Sequence, residues 1–225
     1  MILCACFVLL QQERVLVLHH ISLGSVFWIE VLGIGSFVLL LLVQEPGLNL
    51  MLNKYEEALS STLKNEGGVD TNSVLGSGIS NFGVTQRAWD AYSTKNKLPI
   101  KPVTVLSPQE VRKFYSDEYF VGPKINMLPT ELAAPVFDFA VNSGPQTAIK
   151  HLQGVLGVSQ DGIIGPQTLN ALTGKDSNIV INKLLDSRQM LLDKLVKEKP
   201  EIYKKFEKGW RTRVEGYRPR SSNAK

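Results

Sequence analysis

A mainly α-helical fold is what this sequence predicts, with one small β-hairpin and an apolar N-terminal leader. Three observations carry that expectation. Apolar residues recur at three- and four-residue spacing through most of residues 51–225. Helix-start and helix-stop signals punctuate those runs. Only residues 69–84, rich in glycine, serine and asparagine, lack a helical period.

Taken in order, residues 21–43 form an apolar stretch whose only charge is Glu30. As a helix it would span about 34 Å, enough for a hydrocarbon core of about 30 Å. Arg14 before it and Glu45 after it bias the orientation towards N-in and C-out, and no small-residue cleavage site follows. Two readings stand side by side. Either this is a transmembrane signal anchor, or Met51 is the true start and the leader is an extension.

In the body, Leu52, Tyr55, Leu59, Thr62 and Leu63 share one face, so a helix is expected over about 52–66, stopped by Gly67-Gly68. A loop or hairpin follows, with Ser77-Gly78 and Asn81-Phe82-Gly83 as its turn points. Thr85 is the expected N-cap of the next helix. Ser107-Pro108-Gln109-Glu110 is a capping box with proline at the first helical position, and its helix should bury Val111, Phe114 and Tyr115. Leu132, Val136, Phe137, Phe139 and Ala140 mark an apolar helix broken at Asn142-Ser143-Gly144-Pro145. Leu152 lies in a shorter helix ending at Gly157. Gly165-Pro166 opens another, and a long helix through Ile181, Leu185 and Leu195 comes last.

Composition excludes several chemistries. Both cysteines, Cys4 and Cys6, and two of the three histidines, His19 and His20, lie in the leader. The body therefore holds no disulfide scaffold and lacks the ligand set of a zinc hydrolase. A triad would rest on His151 alone. No metal or organic cofactor is expected. The body is basic, most strongly from Lys194 to Lys225, but no nucleic-acid motif accompanies that charge and no nucleic-acid partner is expected.

Glu66 is the residue with chemical promise. A carboxylate in the last turn of a helix meets partial negative charge, which disfavours its ionised form and raises its pKa. A carboxylic acid kept protonated near neutrality can protonate a glycosidic oxygen, and Gly67-Gly68 leaves room for a polysaccharide. A solvated glutamate before a Gly-Gly cap explains the same residues, and chemistry alone leaves both open.

From Glu66-Gly67-Gly68 through Gly76-Ser77-Gly78-Ile79-Ser80-Asn81-Phe82-Gly83-Val84-Thr85-Gln86-Arg87-Ala88-Trp89-Asp90-Ala91-Tyr92, the sequence resembles the glycosyl hydrolase 108 family of lysozyme-like muramidases, common as phage endolysins. The likeness continues through Phe137-Asp138-Phe139-Ala140-Val141-Asn142-Ser143-Gly144, Asp161-Gly162-Ile163-Ile164-Gly165-Pro166-Gln167-Thr168-Leu169 and Gly209-Trp210-Arg211-Thr212-Arg213. It covers nearly all of 52–217. The resemblance implies a lysozyme-like helical domain over 51–133, a helical peptidoglycan-binding domain over 134–217, and a basic tail over 218–225, after the leader at 1–50. It implies cleavage of the β-1,4 bond between N-acetylmuramic acid and N-acetylglucosamine, with Glu66 as proton donor.

The family's aspartate nine residues after the glutamate is replaced here by Leu75. Asp70 is the candidate substitute for the second carboxylate that such hydrolysis uses, if the hairpin is rearranged, and an ordinary loop aspartate also explains it. A single-acid lytic transglycosylase and a non-catalytic wall-binding relative also remain open. Thr85 and Gln86 are candidate glycan contacts, although an N-cap explains Thr85 by itself. Trp89 and Tyr92 fit either sugar stacking or the core. The Asp161–Thr168 pattern reads both as turn chemistry and as a wall contact. The expected partner is the peptidoglycan glycan strand, with inner-membrane association through residues 21–43 under the anchor reading, and the expected state is a monomer. The body would face the periplasm, or stay cytoplasmic until holin-mediated release if Met51 is the start.

Overall fold

The computed structural model describes residues 16–19, 28–31, 53–60, 62, 69–70 and 79–219. The chain divides into two units, Met1–Leu52 and Asn53–Lys225.

In the first unit β1 (Leu16–His19) pairs antiparallel with β2 (Trp28–Val31), Leu16 opposite Val31 and His19 opposite Trp28. This corrects the expectation of one apolar helix over 21–43, since β2 lies inside that stretch. Ile29 and Val31 are β-branched and Trp28 is aromatic, residue types that suit a pleated ladder. Ser22, Gly24 and Ser25, on its N-terminal side, are weak helix formers. Among the described residues no helix is long and apolar enough to cross a membrane.

The second unit opens with α1 (residues 53–60, Thr62 also helical). Its buried residues Tyr55, Ala58, Leu59 and Thr62 form the i, i+3, i+4, i+7 stripe of a helix with one face on a core. Lys54 Nζ donates to the carbonyls of Asn126 and Leu128 at 3.2 and 2.7 Å, and the Tyr55 hydroxyl donates to the Arg112 carbonyl.

Three short strands follow: β3 (Val69–Asp70), β4 (Ser80–Asn81) and β5 (Val84–Thr85), in the order β3-β4-β5. The expected hairpin is the β4–β5 pair. Its two turn residues, Phe82 at φ 48° and Gly83 at φ 78°, both lie in the left-handed region, as a type I′ turn requires. The Tyr115 hydroxyl donates to the Phe82 carbonyl at 2.7 Å and holds the turn to the helical body.

Helix α2 (Gln86–Asn96) is capped by Thr85, whose side chain accepts from the Ala88 amide, as the sequence predicts. A 3₁₀ turn (Val103–Val105) leads to α3 (Pro108–Tyr115), which carries the complete Ser107–Glu110 capping box and buries Val111, Phe114 and Tyr115. A π-helical segment (Ser116–Val121) extends α3. Gly122 closes it, its amide on the Asp117 carbonyl at 3.2 Å; a Cβ there would stand 2.1 Å from that oxygen.

Helix α4 (Thr130–Ser143) is the core of the unit, and Leu132, Ala133, Val136, Phe137, Phe139 and Ala140 are fully buried. A helix apolar on all sides must be surrounded, and α4 packs on α5 (Pro145–Leu156) and α7 (Ser177–Glu198). It runs unbroken through residues 133–134, where the sequence reading divided two domains, and one buried cluster joins residues from Tyr55 to Val214. Since Lys54 meets the residues just before α4 and Thr62 meets Asp138 within it, α1 and α4 run in the same direction. Helix α6 (Pro166–Leu172) follows α5. Pro200 starts α8 (Pro200–Tyr203), and a 3₁₀ turn (Lys204–Phe206) leads to α9 (Glu207–Glu215), which returns onto α7.

Candidate active site

Glu66, Leu75 and the turn point Ser77-Gly78 lie outside the described residues. The structure does describe the elements on either side of Glu66. Upstream, α1 is held at its start by Lys54 and Tyr55, and again at Thr62, four residues before Glu66 in the sequence. The fully buried Thr62 hydroxyl donates to Asp138 Oδ1 at 3.3 Å.

Asp138 is the hub of a buried ionic cluster. Arg188 Nη1 donates to its Oδ2 at 2.8 Å, and Arg213 Nε reaches both of its oxygens at 3.0 and 3.1 Å. The side chains of Asp138, Arg188 and Arg213 are 0%, 1% and 12% exposed. Burial pulls the Arg188 pKa down and the Asp138 charge opposes that shift. The guanidinium also lies over the Phe139 ring, 5.1 Å from its centroid. One carboxylate between two guanidiniums thus ties α1, α4, α7 and α9 together around Thr62.

Downstream, the backbone of Asp70 is the register partner of Ser80, and Ser80 is the partner of Thr85. The sheet therefore places two of the sequence candidates, Asp70 and Thr85, in one cross-strand row. Gln86 has a different setting. Its amide donates to Asp90 Oδ1 at 2.8 Å and to the Lys101 carbonyl at 3.0 Å, and its Oε1 accepts from the Val103 amide at 2.8 Å. It stitches residues 101–103 to the start of α2. Thr85 serves as the N-cap. Trp89 and Tyr92 are core residues, 2% and 3% exposed, packed on Phe114 with centroids at 6.4 and 5.3 Å.

The pattern around Asp161 closes on itself. Gln153 Nε2 reaches Asp161 Oδ1 at 2.7 Å, the Ile163 carbonyl at 3.0 Å and Thr168 Oγ1 at 3.1 Å, while its Oε1 accepts from the Gly162 amide. Gly162 sits at φ 77°, the left-handed conformation that this turn needs. Gln153, Gly162 and Thr168 are thereby held in a clasp between α5 and α6, while Asp161 stays exposed. His151 Nδ1 pairs with Ser187 Oγ at 2.7 Å and its ring stacks obliquely on Phe139 at 5.3 Å. Burial lowers its pKa. Among the described residues no group of three His, Cys, Asp or Glu side chains is placed to hold a metal ion.

Asp138 and its two arginines were missed in the sequence reading. Their signal was present: an acid inside the apolar run Phe137-Asp138-Phe139, and an arginine on the inward face Leu184, Leu185, Arg188, Leu192.

Residues 59–144 match the model of the glycosyl hydrolase 108 family, and residues 147–215 match that of the predicted peptidoglycan domain. No curated protein gives a match. The solved structure of Brucella abortus SagA is similar at 26% identity with a TM-score of 0.60, over 76% of this chain and 99% of that one. A helical body, a glycosidase match that includes Glu66, and a peptidoglycan-domain match over the second half converge: the chain is a member of the glycosyl hydrolase 108 family with a C-terminal peptidoglycan domain, a glycoside hydrolase that acts on peptidoglycan.

Proposed function

We propose that the chain cleaves the β-1,4 bond between N-acetylmuramic acid and N-acetylglucosamine, with Glu66 as general acid. The observation that carries this reading is the glycosidase match over residues 59–144, which contains Glu66 four residues after Thr62 of α1, a helix held at Lys54 and at Thr62. A general acid must be held against one glycosidic oxygen, because catalysis falls steeply when the donor is displaced by even about 1 Å. The Thr62–Asp138 contact and the two arginines behind it supply that support from four helices.

In this mechanism Glu66 gives its proton to the leaving oxygen as the sugar acquires oxocarbenium character. Asp70, carried on β3 beside the hairpin, then activates the attacking water, in the role the family gives to the position occupied here by Leu75. The β3–β4 pairing supports this assignment, since it ties Asp70 to the rigid hairpin rather than to a free loop.

The test is digestion of purified peptidoglycan by the full chain, beside Glu66→Gln and Asp70→Asn, with products identified by mass. The expected result is new N-acetylmuramic acid reducing ends from the parent, and a loss of about 10²–10⁴-fold in rate for Glu66→Gln. Products lighter by one water would assign transglycosylation instead. Undiminished turnover in Glu66→Gln would remove Glu66 from the chemistry.

A further inference from the structure

Apart from the clasp around Gln153, the second half of the unit carries an aromatic surface on α8 and α9. Two open clefts, of about 500 and 810 Å³, share Phe206 and Trp210 as a common wall. That wall is built from α8, the 3₁₀ turn and α9, which place Tyr203, Phe206 and Trp210 in a row. The Trp210 ring lies 5.6 Å from Tyr203 at 39° and 5.8 Å from Phe206 at 22°. All three are half-buried and line the clefts, and Lys205 Nζ lies over the Phe206 ring, 5.1 Å from its centroid, as a mobile cover that a ligand would displace. A row of aromatics left in a cleft adds little to folding but is the usual lining of a ligand site.

The facing wall of the smaller cleft mixes short polar side chains with leucines. Asn142 and Ser143 end α4, and Thr147 lies in the first turn of α5, while Leu191 and Leu195 of α7 also line the cleft. At the rim of the larger cleft stand Lys205 and Lys208, both exposed and, among the described residues, paired with no carboxylate. Because α1 runs parallel to α4, this groove lies at the end of the bundle towards which α1 leads.

These features fit one ligand chemistry. The C–H face of a pyranose is electron-poor and settles on the electron-rich face of an aromatic ring. Acetamido and hydroxyl groups suit short amide and hydroxyl side chains on the opposite wall. Stem peptides on alternate sugars carry carboxylates, which lysine attracts. We propose that this groove binds a peptidoglycan glycan strand, its sugar faces on Tyr203, Phe206 and Trp210 and its stem-peptide carboxylates towards Lys205 and Lys208. The inference rests on the peptidoglycan reading above and adds the place at which the strand is held.

The experiment uses the full chain carrying Glu66→Gln, so that binding is measured without turnover, with insoluble peptidoglycan and the neutral N-acetylglucosamine hexamer as probes. Phe206→Ala and Trp210→Ala should each weaken both probes about tenfold, the loss expected when a central aromatic anchor is truncated. Trp210→Phe should stay within about threefold of the parent, since a ring face is retained. Lys205→Glu with Lys208→Glu should weaken binding to peptidoglycan and leave the hexamer unchanged. Trp210 also packs against the core, so the melting curve of every variant is recorded, and Phe206→Ala and the lysine pair decide the matter if Trp210→Ala unfolds. Folded aromatic variants that bind both probes as tightly as the parent overturn the proposal, as does a loss confined to the lysine pair. A parent enzyme that digests walls while these variants bind normally would refute the groove and leave the activity standing. A chain that neither binds nor digests walls would refute both.

Discussion

Replacing Asp138 by asparagine keeps the shape of the side chain and removes the carboxylate that pairs with both Arg188 and Arg213. Arg188, 1% exposed, would then lose the buried charge that its guanidinium meets. Breaking a buried ion pair by removing one partner costs about 3–5 kcal/mol, against a total stability of about 5–15 kcal/mol for a domain. In a chain of this size each kcal/mol lowers the melting temperature by about 2–4 °C, so Asp138→Asn should melt about 6–20 °C below the parent. Arg188→Met should cost less, because Asp138 keeps both contacts from Arg213 Nε. Circular dichroism melts of the two variants beside the parent test this ranking. An Asp138→Asn variant within about 2 °C of the parent, or one more stable than Arg188→Met, would refute the account of Asp138 as the hub of the cluster.

Further expectations follow from single contacts. Ser107→Ala removes the side-chain half of the α3 capping box and should cost about 1 kcal/mol, read from urea denaturation. Glu110, held down to about 2 by its contacts with Lys101 and with the Ser107 amide, binds protons more weakly folded than unfolded. Its contribution is therefore present above its ordinary value of about 4.5 and lost as pH falls from there towards 2, and Glu110→Gln should flatten the parent's acid limb of stability. His151 has the same sign by a different route: burial lowers its pKa, so the unfolded chain binds the extra proton first. Stability should fall as pH drops below about 6.5, and His151→Gln should narrow the difference in melting temperature between about pH 7.5 and 5.5. Gln86→Leu leaves the Val103 amide without its acceptor and should cost about 1–3 kcal/mol, measured by the same denaturation.

Local signals foretold the local elements. The capping box at Ser107, the Thr85 cap, the Gly157 stop and the Gly165-Pro166 start each sit where the sequence reading put them. Caps and turns act over three or four residues, so a linear pattern contains all the groups involved. The π-helical turn after α3 and the short 3₁₀ turns were not legible, because packing rather than local preference selects them. The apolar stretch over 21–43 shows the opposite failure. A hydrophobic run is compatible with helix or strand, and strand pairing with Leu16–His19 is a long-range choice.

Chemical identity was legible in Glu66-Gly67-Gly68 and its flanking motif, since a motif is a linear object. The partners of Asp138 were not, although an acid at position 138 announced that a cation had to exist. Position 188 is 50 residues away and position 213 is 75, and only the packing of α7 and α9 on α4 brings them within 3 Å. The same holds for Gln86, whose amide looked free to meet a ligand until residues 101–103 folded over it. Composition and spacing thus set which helices form and which residue is the candidate acid. Burial set which polar side chains are spent on the fold, because that depends on what each one meets when the chain closes.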